Sequence, residues 1–98
     1  MPAVARQGDS FSTGHACTGS STVTGPSSDV FANNIGVERQ GDPSVSHTKK
    51  SGKKCVPHVV PIAGGSSTVF VNNKPIARVG DAIDAGSITS GSPDVIAG

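Results

Sequence analysis

The chain has 98 residues, of which 34% are hydrophobic, with three Phe and neither Trp nor Tyr. A single domain with so few large apolar side chains buries a modest share of its surface and calls for a staple, whether metal, disulfide or partner. A net charge of +1 supplies no strong overall field for nucleic acid or membrane, and the opening Met1-Pro2-Ala3-Val4-Ala5-Arg6 lacks the apolar core of a secretory signal.

Thirteen Gly, seven Pro and many Ser and Thr would suit a disordered chain, but spaced β-branched pairs and internal repetition argue for folded structure. The first segment ends in Arg6-Gln7-Gly8-Asp9. The same form, Arg-x-Gly-Asp, returns at Arg39-Gln40-Gly41-Asp42 and Arg78-Val79-Gly80-Asp81. Gly supplies a backbone conformation that other residues resist, and Asp can turn its carboxylate onto nearby N–H groups, so each copy reads as a turn. The repeat is longer than four residues: Gly25 to Asp42 aligns with Gly64 to Asp81 at a constant offset of 39. Val30-Phe31-Ala32-Asn33-Asn34 thereby matches Val69-Phe70-Val71-Asn72-Asn73.

In the better preserved copy, Thr68-Val69-Phe70-Val71 suits a short strand. Asn72-Asn73 suits a two-residue hairpin turn with both residues at positive φ. Pro75 points to an edge or strand-start position, since it has no N–H for a ladder. A third start appears at Gly91-Ser92-Pro93-Asp94-Val95-Ile96-Ala97-Gly98, and its missing second half, Ala3 to Asp9, is where the chain begins. Three units of this kind can close in a ring with the last strand pairing the first, which removes open sheet edges. The expectation is an all-β, pseudo-threefold single domain, residues 1–98, made of short β-hairpins with few or no helices.

Between the hairpins lie three variable arms, Ser10–Thr24, Pro43–Gly64 and Ala82–Ser90. They carry every His and Cys. Arms converging on the pseudo-threefold axis would bring together His15, His47, Cys55 and His58. Neutral imidazole and thiolate are ligands that tetrahedral zinc prefers, and four of them close the site, which makes it structural. Cys55 and His58 stand three apart, a spacing that lets one turn supply two ligands. A Cys17–Cys55 disulfide, or Cys17 in place of one His, are the competing readings. Lys49, Lys50, Lys53 and Lys54 form a basic loop that reads as a solvated surface. An enzyme is not expected: a Cys55–His58 or Cys55–His47 couple has no visible orienting group, and Glu38, the only Glu, lies in a repeat turn.

Lys74-Pro75-Ile76-Ala77-Arg78-Val79-Gly80-Asp81 and Met1-Pro2-Ala3-Val4-Ala5-Arg6-Gln7-Gly8-Asp9 resemble the Pro-Ala-Ala-Arg (PAAR) repeat family. Gly65 to Asn73 resembles that family's Gly-Ser-x-Thr-Val-x-x-Asn-Gly strand and turn, and Cys55-Val56-Pro57-His58 its Cys-Pro-x-His element with the Pro displaced. Glu38 stands where the second Ala would be in the middle copy, Gly36 where its Pro would be, and the third arm lacks a Cys.

The resemblance implies a small cone, stapled by zinc near its vertex, that caps the trimeric β-helical spike of a contractile injection machine. Such machines are type VI secretion systems, contractile phage tails and tailocins. It maps the three His and one Cys that hold the zinc to His15, His47, Cys55 and His58. It implies one copy per spike trimer and contact with the target membrane during injection. No nucleic-acid partner is implied, and docked effectors are left open. The spike contact is expected to be β-like, through Val30, Phe31, Val69, Phe70, Val95 and Ile96, with Val4, Ile76 and Val79 serving equally as core. The protein is expected to be a bare tip without an effector extension, made in the bacterial cytoplasm and carried at the end of the spike. The alternative is a metal-stabilised adaptor on another secreted or virion assembly.

Overall fold

The computed structural model describes residues 1–98. It contains no helix. Ten short strands pair as five antiparallel hairpins: β1 (Ser10–Ser12) with β2 (Ser20–Thr22), β3 (Phe31–Ala32) with β4 (Ile35–Gly36), β5 (His47–Ser51) with β6 (Lys54–His58), β7 (Phe70–Val71) with β8 (Lys74–Pro75), and β9 (Ala82–Ile83) with β10 (Gly86–Ser87).

Each repeat begins at a serine. The Oγ of Ser27, Ser66 and Ser92 accepts the N–H groups two and three residues further on, in Asp29 and Val30, Thr68 and Val69, and Asp94 and Val95. This is why the strand expected over Thr68–Val71 pairs only as Phe70–Val71: the first two N–H groups are committed to Ser66. The turns are as the sequence requires. Asn33, Asn34, Asn72 and Asn73 all have positive φ, between 53° and 65°, the backbone that a two-residue type I′ hairpin needs and Asn tolerates. Each repeat ends at its Arg-x-Gly-Asp turn. There the Asp carboxylate accepts both the Arg backbone N–H and the guanidinium, as in Arg39–Asp42 at 2.8 Å for each of three bonds. Gly8, Gly41 and Gly80 lie at φ 88–94°, where a side chain would be strained.

The three units lock to one another. Asn33 accepts from Arg6 and donates to Asp94, and Asn72 accepts from Arg39 and donates to Asp29. The third unit is completed by the two ends of the chain. Val4 donates to Val95, Ala97 donates to Pro2, and Ala3 bridges Ile96.

At the centre three backbone hydrogen bonds close a triangle: Ala5 N–H to Ala77 C=O, Ala77 N–H to Glu38 C=O, and Glu38 N–H to Ala5 C=O, at 2.9–3.0 Å. Consecutive residues in extended chain face opposite ways, so this triangle separates two small apolar clusters. Val4, Val37 and Ile76 enter one with Ala32, Val71 and Ala97. Ala5 and Ala77 enter the other with Phe11, Val23, Ile62, Ile83 and Ile88. Val4 and Ile76 are therefore core, and Val79 packs against the second cluster. Beyond Phe11, whose ring meets that of His47 edge-on at 5.7 Å, lie the arms. The molecule measures 41 × 24 × 21 Å along its principal axes.

Candidate metal centre

Each arm brings one or two chemically active side chains to the end of the second cluster. His15 sits in the loop between β1 and β2. His47 opens β5 and His58 closes β6, so the two face each other as a cross-strand pair. The third arm folds as the tight β9–β10 hairpin and places Asp84 at its turn, with φ 58°. The ligating atoms of His15, His47, His58 and Asp84 all lie within 4.8 Å of one another. His15 Nε2 is 2.6 Å and His47 Nε2 3.0 Å from Asp84 Oδ2, and His58 Nε2 is 3.4 Å from Oδ1.

The ring orientations are set from behind. His15 Nδ1 lies 3.2 Å from the Ala16 carbonyl and His47 Nδ1 3.1 Å from the Val45 carbonyl. A carbonyl can only accept, so each Nδ1 carries the proton. In the neutral rings Nε2 is then a lone pair aimed at a carboxylate oxygen. Lone pairs at these distances repel unless a cation lies among them, either as protons on the rings or as a metal ion. Burial alone pushes the Asp84 carboxyl upward, but hydrogen bonds from His47, His15 and His58 outweigh it and hold that carboxyl below its ordinary range. Three imidazoles and one carboxylate, with the outer nitrogens of His15 and His47 anchored on backbone carbonyls, are a donor set that fits a divalent metal.

Of the four residues expected to converge, three do: His15, His47 and His58. Cys55 does not. Its sulfur is bonded to that of Cys17, with the two Cα atoms 6.0 Å apart, so it has no thiolate to offer. The physical reason is the local structure. Cys55 and His58 lie on one strand, β6, and residues three apart on a strand point to opposite faces. A turn would have put them on the same side. The fourth position of the cluster belongs to Asp84. It was the only ligand type between Ala82 and Ser90, and the rule that every arm contributes to the axis points to it. Its place in an Asp-Ala-Gly turn disguised it as turn chemistry.

Glu38, placed by the sequence in a repeat turn, has a setting that its turn position does not suggest. Glu38 occupies, within the central triangle, the position that Ala5 and Ala77 hold in the other units. It is fully buried, and neither carboxylate oxygen has a hydrogen-bond partner. Burial first, then the nearby carboxylates of Asp42 and Asp9, push its carboxyl up to about 8, against the pull of Arg39.

A family model described as PAAR motif matches residues 13–88. A search of curated proteins finds no match to the chain.

Proposed function

The chain belongs to the PAAR-motif family, and from that membership we propose that the protein is the tip that caps the trimeric β-helical spike of a contractile injection machine. One observation carries this reading. At the end of the molecule away from the histidines, the three units expose large apolar side chains at the same positions. Phe31, Phe70 and Ile96 are 59%, 56% and 55% exposed. Val30, Val69 and Val95 stand beside them at 36–38%. Apolar groups displayed this openly mark a contact surface, and their threefold placement matches a threefold partner with a single copy of the chain. Strands at this face can extend a β-helix by main-chain pairing.

In the same reading His15, His47, His58 and Asp84 hold zinc. Four protein ligands leave no position for water or substrate, so the ion supplies cross-linking rather than catalysis. It ties all three arms together beyond a small core, where its binding energy adds to folding energy. Phe11 and the Val45 carbonyl hold the His47 ring, and the Ala16 carbonyl holds that of His15. The role is mechanical: the arms stay joined while load passes through the narrow end.

The test is to mix the protein with the trimeric spike of the same host's contractile apparatus and weigh the complex by native mass spectrometry. One chain per trimer is expected, with binding lost in the Phe31→Asp, Phe70→Asp, Ile96→Asp variant while its metal content is kept. Any other stoichiometry, or undiminished binding by the variant, overturns the capping role and favours an adaptor.

A further inference from the structure

We propose that the β5–β6 hairpin is an electrostatic docking element for a phosphate-bearing lipid surface. Its strands are the longest in the molecule, five residues each, and the hairpin runs outward from the His47–His58 pair. Lys49, Lys50, Lys53 and Lys54 crowd its far end, and all four are exposed. None of them forms an ion pair or a side-chain hydrogen bond. The other cations are differently placed. Arg6, Arg39 and Arg78 are held by Asp9, Asp42 and Asp81, and Lys74 lies on β8 near the opposite end. The carboxylates are committed elsewhere too: Asp29 and Asp94 are engaged by Asn72 and Asn33 in the seams between the repeats, Asp84 by the histidines, and Glu38 is buried. A net charge of +1 therefore hides a strongly polarised molecule, with four unneutralised positive charges at one end.

The shape of the array selects among anionic partners. Cross-strand pairing puts Lys49 with Val56 and Ser51 with Lys54 on one face, and Lys50 with Cys55 on the other. Lys53 occupies the turn. Lys49 and Lys54 share one face and Lys50 lies on the other, so only end-on approach engages all four, and an end-on contact suits a planar array of phosphates rather than a groove. The hairpin carries no Phe, Tyr or Trp on which a base could stack, and its two imidazoles lie at its base in the metal cluster. It does carry Val56, partly exposed beside Lys49, an apolar group suited to the boundary between headgroups and acyl chains. The Cys17–Cys55 disulfide and the Cys17–Lys49 bridge brace the hairpin against the first arm, so the charges are presented on a stiff support.

The proposal rests on the reading that this end of the molecule leads, but its test needs no spike, so the two can fail separately. The full-length protein is sedimented with vesicles of phosphatidylcholine alone and of phosphatidylcholine mixed with phosphatidylglycerol. Binding to the anionic vesicles only is expected, falling as salt is raised. Each lysine near such a surface is worth about a fivefold change in partitioning. The Lys49→Gln, Lys50→Gln, Lys53→Gln, Lys54→Gln variant should therefore lose nearly three orders of magnitude, about 600-fold, and Lys74→Gln should bind like the parent. Equal binding to neutral vesicles, or full binding by the quadruple variant, overturns the proposal. So does competition by inorganic phosphate at concentrations that leave ionic strength unchanged, which would mark a free-anion site. Tighter binding to duplex DNA than to the anionic vesicles at matched salt would reassign the hairpin to nucleic acid and equally overturn it.

Discussion

Two carboxylates of very different standing decide the chemistry of single residues. Asp84 is surrounded by nitrogen. Asp84→Asn is expected to lower the metal bound per chain severalfold, whereas Cys55→Ser is expected to leave it unchanged. Elemental analysis of both variants separates a three-histidine, one-aspartate set from one completed by a thiolate. Glu38 has no partner, and its pH dependence follows from a folded pKa of about 8 against an ordinary 4.5. Below 4.5 the folded and unfolded chains both hold the proton. Between 4.5 and 8 the unfolded chain releases it while the folded one keeps it, so stability falls as pH rises; above 8 both are ionised and the slope vanishes. The loss is on the order of 5 kcal/mol at most. Urea titrations across this range should show Glu38→Gln without that part of the slope. Glu38→Ala, which makes the position like Ala5 and Ala77, should be more stable than the parent at pH 8. Neither residue was conspicuous in the sequence: a carboxylate beside an Arg-x-Gly-Asp turn reads as surface, and only closure of the triangle around Glu38 puts it inside.

At the scale of elements, the hairpins were legible and the arms were not. The offset of 39 shows because each hairpin repeats the same local requirements: a serine to collect two N–H groups, two residues that accept positive φ, and a Gly-Asp turn to hold an arginine. Such requirements are met by residue type at fixed spacing, so they survive in the letters. The arms have no common length and their hairpins pair through backbone bonds that leave little trace in residue type. Whether β6 is a strand or a turn decides the fate of Cys55, and a spacing of three residues to His58 suits the turn. The β5–β6 hairpin also offers a direct test of its brace. The Cys17–Cys55 link closes a loop with a sequence separation of 38, for which the chain-entropy picture gives about 4 kcal/mol. A Cys17→Ser, Cys55→Ser variant is expected to lose stability on that scale in urea. Amide exchange should rise most in Thr48–Pro57, with Phe31–Gly36 and Phe70–Pro75 little affected.

The whole molecule is a symmetric end joined to an asymmetric one. Repeated units meet at the central triangle and display matched apolar side chains on one side, while on the other the arms differ in length and only one extends into a charged hairpin. The ring architecture was legible because the start and the end of the chain are complementary halves of one unit. The central triangle also sets the order in which the protein can come into being. Ala5 can meet Glu38, and Arg6 can bridge Val37, once the middle repeat has been made, but Val4 waits for Val95 and Pro2 for Ala97. During synthesis the two internal repeats can form their turns, but the ring stays open and neither apolar cluster is complete. Joining ends so far apart in sequence carries a loop-closure cost before it brings any reward, and topologies dominated by such contacts fold slowly. The nascent chain is thus held back from its finished shape until Val95 and Ala97 are free to meet its opening residues.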